Sequence, residues 1–307
     1  MRLSQSALRI VYGLAAAFGA VTLVFFLSRM TSDPAQLLAP PGSTPDQVES
    51  LRSGLGLDRS LLAQYGSYLS DLAHGDLGTS YWLNDEVVAI IGERIGATVS
   101  LAAVALVLAL GIGVPAGLLA AFRQERPVDR VLVSASMLGN AVPTFWMGPV
   151  LILLFAVQIP IFPASGRSGV ASYILPALAL AGLQGAILFR VTRGAALEVL
   201  SQEQVKLARA KGSGELRVAR SHVLPNTLLP VLTMAGLAMA NLLSSAIVVE
   251  VIFSWPGIGQ TLIEAVRQRD FPLVQGITIV FALAYVGINT AVDLLYQFVD
   301  PRLRQAA

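Results

Sequence analysis

A chain of 307 residues with 55% hydrophobic and only 13% charged side chains is too apolar for a soluble domain, in which about a quarter of residues carry charge. Its formal net charge of +2 gives no reason to expect a nucleic-acid partner. The absence of cysteine removes disulfides, thiolate metal sites and a cysteine nucleophile together, and two distant histidines, His74 and His222, do not make a metal centre.

The first apolar run, 10–27, follows Arg2 and Arg9. It is too long for the core of a signal peptide, and Ser28-Arg29-Met30-Thr31 offers no small-residue cleavage site, so 1–30 is read as a retained N-terminal transmembrane helix. Residues 31–96 are hydrophilic and form an insertion. Turns are expected at Pro40-Pro41-Gly42 and at Gly54 and Gly56, while Leu61, Leu62, Tyr65, Leu69 and Leu72 fall at helical spacing. The expectation is a small cap with a short helix or two lying on the membrane surface. Further apolar runs follow at 97–122, 131–157, 173–189, 228–249 and 273–292, each near the ~20 residues that span a hydrocarbon core. The small-xxx-small pair Gly113 and Gly117 suits close helix packing. Pro143 and Pro149, with Pro160 and Pro163 just beyond, predict a kinked third span and then an irregular loop. The fold class is therefore an all-α membrane protein of about six transmembrane helices, with a five-helix core over 97–300 and a tail at 301–307.

Basic residues set the expected orientation. With the N-terminus inside, fourteen of the 21 Lys and Arg side chains fall on the inner side, and the outer seven are diluted over a long segment. The prediction is N-in and C-in, with the 31–96 cap outside.

The internal stretch 190–226 is patterned in detail. Ser201 and Gln204 have the form of a capping box, Glu203 sits in the first helical turn, and Lys206, Arg209 and Lys211 load the later turns. Gly212 is placed to end this helix in a left-handed conformation. A second short helix is expected from Ser213-Gly214-Glu215 through His222, before Pro225 opens the next span. The result is a cytoplasmic hairpin over 201–222.

Few polar side chains lie in the spans. Asn140, Gln184 and Asn241 are candidates to line a route for a polar solute, or equally to hydrogen-bond a neighbouring helix. Glu250 and Asp293 lie near span ends, where a carboxylate is expected to reach water. No Gly is followed directly by Lys, so the chain has no phosphate loop; no H-E-x-x-H or G-x-S-x-G is present, and no catalytic residue is expected. A stand-alone secondary transporter or channel is the alternative reading, but it needs a membrane-embedded coupling site that the spans do not offer.

Several segments carry a resemblance. They are Asp33-Pro34, Gly56-Leu57-Asp58-Arg59, Gly75-Asp76-Leu77-Gly78-Thr79-Ser80, Pro143-Thr144-Phe145, Ala208-Arg209-Ala210-Lys211-Gly212 with Leu224-Pro225, the run from Glu250 to Gly259, Arg269-Asp270-Phe271-Pro272 and Asp300-Pro301-Arg302. In this order they resemble the membrane permeases of binding-protein-dependent ABC importers, in the dipeptide, oligopeptide and nickel branch. The general family signature E-A-A-x-x-x-G, later I-x-L-P, is met at Ala208, Gly212, Leu224 and Pro225; Lys206, Leu207 and His222 depart from it. The resemblance implies a multi-pass protein of the bacterial inner membrane that, with a second and different permease chain, forms the pathway for peptides or similar small polar solutes. It implies two ATPase subunits that hold ATP and Mg, none of it in this chain, and an external solute-binding protein. It also implies ATPase coupling through Lys206, Ala208, Arg209, Lys211, Gly212, Leu224 and Pro225, and an external gate or cap group of Glu250, Pro256, Gly257, Gly259 and Asp270.

Overall fold

The computed structural model describes residues 2–31, 33–40 and 42–299, and only the backbone of 2–10, 31, 37 and 293–299. The 301–307 tail, the Asp300-Pro301-Arg302 match and the side chain of Asp293 lie outside the described residues. Among those described there is no strand, only an isolated antiparallel bridge between Thr79 and Glu86.

Helix α1 (Arg2–Thr31) is the first span, and three short helices follow it. Each starts on a local hydrogen bond that its sequence supplies. Asp33 accepts from the amide of Ala35 to begin α2 (Pro34–Leu38), and Thr44 and Gln47 form a capping box for α3 (Pro45–Gly54). Ser60 caps α4 (Leu61–Ala73). Proline at the first position of α2 and α3 loses no hydrogen bond there. Tyr65 and Tyr68 of α4 pack on Phe25 of α1, and the hydroxyls of Tyr65 and Thr22 lie 2.6 Å apart.

Helix α5 (Val87–Phe122) starts well inside the stretch assigned to the cap. Glu93 and Arg94 make its first turns too polar to read as a span, but Val87, Ile90 and Ile91 are buried against Ile258, Leu273 and Ile277. Helices α6 (Pro127–Ala141) and α7 (Thr144–Ile152), the latter continued by a π-helical turn at Leu153–Gln158, are the predicted kinked span; their axes differ by 104°. The break falls at Val142-Pro143, where Val142 is extended because a residue before proline avoids the helical region.

Helix α8 (Ala171–Ser201) runs past its apolar segment to Ser201, which corrects the predicted capping box. The Ser201 hydroxyl donates to the carbonyl of Glu198 at 2.7 Å as part of α8, and Gln202 takes the cap position of α9 (Glu203–Ala210) without a side-chain bond. The end of α9 is as predicted. Gly212 has φ +82°, its N–H donates to Arg209, and the Ser213 N–H donates to Ala208, the hydrogen-bond pair of a Schellman cap. The second hairpin helix is not a separate element. Helix α10 (Glu215–Val218), a π-helical turn at Ala219–Val223 and α11 (Leu224–Ile252) form one continuous span, Glu215–Ile252. Pro225 lacks an N–H and sits in the first turn of α11, and the widened π turn before it takes up the ring. Helices α12 (Ile258–Arg267) and α13 (Phe271–Val299) complete the chain.

The spans pack through small side chains. Ala97, Ala102 and Ala105 of α5 meet Ala177 and Ala179 of α8 and Ala246 of α11 in one buried cluster. A Cβ on Gly113 would lie 2.6 Å from the carbonyl oxygen of Gly185, and one on Gly117 2.7 Å from that of Phe189, so α5 and α8 touch backbone to backbone. Asp129 pairs with Arg193, Gly139 lies against Gly182, Gly148 lies against Ile252, and Gly166 donates to Phe253. The bent α6–α7 pair thus travels from one end of α8 to the other, and with it taken as one span the described residues hold six candidate crossings rather than five. Gly13 lies against Val286, and Ser28 against Gln275, so α1 and α13 are antiparallel. Both termini therefore lead to the end of the bundle that carries α9, and helices α2–α4 lie at the opposite end.

Candidate functional site

At the end opposite α9, the chain leaves α11, turns through Ser254-Trp255-Pro256-Gly257 and re-enters as α12. Glu250 was expected to reach water; instead it is 0% exposed. Its Oε1 accepts from the hydroxyl of Thr98 at 2.6 Å, and its Oε2 accepts from the amides of Gly259 at 2.7 Å and Gln260 at 3.0 Å, in the first turn of α12. Those amides have no partner within their helix and form its positive end, so they hold a carboxylate that water cannot. Thr98 also accepts from the amide of Ile258 at 2.9 Å. The two glycines are dictated by this approach: a Cβ on Gly257 would sit 2.2 Å from Glu250 Oε1, and one on Gly259 would sit 2.6 Å from the Ile247 Cα. Buried Trp255 donates its indole N–H to the carbonyl of Ala97 at 3.0 Å, and Arg94 donates to Thr261 at 2.8 Å. Of the group grouped by resemblance, Glu250, Gly257 and Gly259 are thus one cluster, while Pro256 lies exposed on the turn.

Asp270 belongs to a second cluster. It is fully buried, its Oδ2 accepts from the Ser80 hydroxyl at 2.5 Å and the Trp82 amide at 3.1 Å, and its Oδ1 accepts from the Leu273 amide at 3.3 Å. It ties the segment before α5 to the start of α13. Thr98, Ser80 and Trp255 were not singled out from sequence. An isolated hydroxyl or indole is an ordinary sight in a sequence, and the groups that these side chains bond, Glu250, Asp270 and the Ala97 carbonyl, lie more than a hundred and fifty residues away.

At the other end, α9 is anchored by Val205, which is buried with Val218, Val223, Ala121, Ala196 and Val199. Lys206, Arg209 and Lys211 are exposed, Ala208 is half-buried, and Leu207 and Leu216 stand 58% and 65% exposed. The Arg209–Glu215 pair at 2.9 Å is open to solvent and adds little stability. Gly212 meets nothing within 4 Å of a Cβ, so its positive φ alone calls for glycine. Leu224 and Pro225 are exposed on the adjoining span rather than on the hairpin. Beneath it, Asp129 accepts two hydrogen bonds from Arg193, both at 2.8 Å, and one from the amide of Glu125 at 3.0 Å, which fixes the α5–α6 turn.

The three amides are not gathered into one site. Gln184 is buried in α8, Asn140 is exposed and accepts from Arg190 at 3.3 Å, and Asn241 is exposed on α11; no hydrogen bond joins any two of them. Among the described residues no three His, Asp or Glu side chains cluster as metal ligands.

Residues 113–305 match the family model described as the binding-protein-dependent transport system inner membrane component, and residues 6–102 match the N-terminal model of the same membrane component. The chain is 36% identical to a dipeptide transport system permease protein of Alkalihalophilus pseudofirmus, over 92% of this chain and 94% of the relative. It is 37% identical to a glutathione transport system permease protein of Escherichia coli O6:H1, over 92% and 93%. Among solved structures it is similar in fold to a methionine ABC transporter in an inward facing conformation, with TM-score 0.58 and 16% identity, covering 69% of this chain and 96% of that one.

Proposed function

The chain belongs to the inner membrane components of binding-protein-dependent transport systems, the permease subunits of ABC importers in the bacterial inner membrane, and from that premise we propose that α9 is its coupling element and that the α9 end is cytoplasmic. A second, different permease chain completes the pathway, two ATPase subunits drive it, and an external solute-binding protein delivers a peptide or similar small polar solute at the α2–α4 end. The relatives' dipeptide and glutathione cargoes support that solute class.

One observation carries the coupling reading. Helix α9 is closed by the Gly212 cap and is seated through Val205 on the ends of α5 and α8 and on α10 and the π turn that lead into α11, while Leu207 and Leu216 face outward without cover in this chain. A solvated loop needs no such anchoring, and exposed leucines beside lysine and arginine suit a partner's cleft. A push on α9 reaches three spans, two of which touch backbone to backbone. Closure of the ATPase pair can then shift the spans between access states, because the two arrangements differ in how α9 is held. The chain supplies no phosphate loop, so ATP and Mg reside on the partners.

The test uses Ala208→Glu in the reconstituted complex. Ala208 keeps part of its surface open on α9 beside exposed Leu207, so the variant is expected to insert and fold, yet to lose co-purification with the ATPase subunits and the ATPase stimulation by cargo-loaded binding protein. Wild-type stimulation in this variant overturns α9 as the coupling element.

A further inference from the structure

A cavity of about 230 Å³ opens at the α2–α4 end, between the last turn of α1, helix α4, the segment before α5 and the first turn of α13. Among the described residues, four buried side-chain polar atoms have no hydrogen-bond partner, and three of them belong to side chains that line this cavity: Arg29 Nη1, Gln64 Oε1 and the Tyr68 hydroxyl. The fourth, Thr192 Oγ1, lies in α8. Unmet polar atoms are costly one at a time, and a guanidinium nitrogen most of all. Three around one space describe a binding site whose occupant supplies the missing partners.

The chemistry of the wall defines that occupant. The Arg29 guanidinium is steadied over the Phe25 ring, 5.4 Å from its centroid, and offers its free N–H to an anion. Burial, with Tyr65 beside it, pushes the Tyr68 hydroxyl up to about 12, so it keeps its proton and can donate. Asp71 and Asp76 line the cavity as exposed carboxylates, and Gln64 Oε1 is an acceptor. The site therefore holds two cations, Arg29 and Arg59, hydroxyl and amide groups and two anions, the complement of a ligand that carries both signs. Phe25, Leu77 and Phe271 supply apolar wall, and farther along α1 Phe18 and Leu23 stand 53% and 58% exposed.

We infer that this cavity binds the headgroup of a zwitterionic phospholipid with a primary amine, such as phosphatidylethanolamine, from the leaflet at the α2–α4 end. The phosphodiester accepts from Arg29 Nη1 and the Tyr68 hydroxyl, the ammonium donates to Gln64 Oε1 and to Asp71 or Asp76, and the acyl chains run down α1. The lipid ties the cap to α1 and α13, elements that meet at this cavity. This site is independent of which solute the permease carries and of how α9 engages its partners.

The experiment purifies the full chain from membranes of mixed phosphatidylethanolamine and phosphatidylglycerol, and counts retained lipid by native mass spectrometry. One phosphatidylethanolamine is expected to remain bound in preference to phosphatidylglycerol. Arg29→Gln should reduce its retention by roughly tenfold or more, and Tyr68→Phe by several-fold. Thr192→Val, which removes the orphan atom outside the cavity, should leave retention unchanged. Asp71→Asn with Asp76→Asn, both at exposed positions that folding tolerates, should move the preference toward phosphatidylglycerol. Equal retention of the two lipids in the wild type, or retention unchanged by both Arg29→Gln and the Asp71/Asp76 pair, overturns the proposal. Free phosphoethanolamine displacing the lipid at equal concentration overturns the lipid as the source, since a headgroup anchored by its acyl chains outcompetes a soluble one.

Discussion

A carboxylate sealed from water needs donors on both oxygens, and Glu250 finds three of them in Thr98 and the first turn of α12. Thr98→Val keeps the shape but removes one donor to Glu250 and the acceptor of the Ile258 amide. It should cost on the order of 1–3 kcal/mol, read as a lower melting temperature in detergent, with Thr98→Ser close to wild type. The glycines give a sharper contrast. Gly257→Ala drives a methyl into the Glu250 carboxylate, and Gly113→Ala drives one into the α8 backbone, whereas Gly111→Ala, two residues away, meets nothing within 4 Å. The first two should fail to reach the membrane in normal amounts or melt well below wild type, and Gly111→Ala should be neutral or stabilising by about 0.5–1 kcal/mol. In the cap, partial burial would raise the Asp33 carboxyl, but hydrogen bonds from Arg52 and the Ala35 amide hold it below its ordinary value. A depressed carboxylate contributes fully above the ordinary carboxylate range and is lost as pH falls through the lowered value. Hydrogen exchange over 34–54, corrected for its intrinsic pH dependence, should therefore stay constant from neutral to mildly acidic pH and rise only in stronger acid; Arg52→Gln should move that rise to higher pH.

At the scale of the element, what the sequence discloses depends on how local the cause is. The spans were legible because a bilayer imposes one length and one composition on any helix that crosses it. The break at Pro143 and the end of α9 at Gly212 were legible because a missing N–H and a left-handed backbone act within one turn. Ser201 was misread for the same reason: its spacing fitted a capping box, but packing of Ala196 and Val199 against Ala121 carries α8 straight through it. The early start of α5 and the burial of Glu250 were not legible at all. Both follow from the α12 turn folding back onto α5, a contact between segments remote in sequence. The Gly212 cap supports a prediction of its own. Gly212→Ala should cost about 1 kcal/mol through its positive φ alone, loosening the 203–212 amides in hydrogen exchange while insertion stays normal.

For the molecule as a whole, the described ends of α1 and α13 lie at the α9 end, and the excess of Arg and Lys there supports the proposal that this end is the inner one. The chain has no native cysteine, so single cysteines report sidedness cleanly. Replacements at Ser43, Asp58 and Ser168 should react with a membrane-impermeant maleimide in whole cells, and those at Gln124 and Ser213 only after permeabilisation. Labelling of the Ser213→Cys variant in intact cells reverses the orientation and removes α9 from the reach of any cytoplasmic ATPase. The bent third span bears on the membrane itself. Helix α6 stops at Ala141, and the carbonyls of its last turn look for amides that the next residues do not all supply, because Pro143 has none. Hydrocarbon cannot hydrate such groups, so the bend has to face protein or water. The elbow at Val142 thus locates where the lipid tails must be kept out, by a neighbouring protein surface or by water held at that depth of the bilayer even when no solute is crossing.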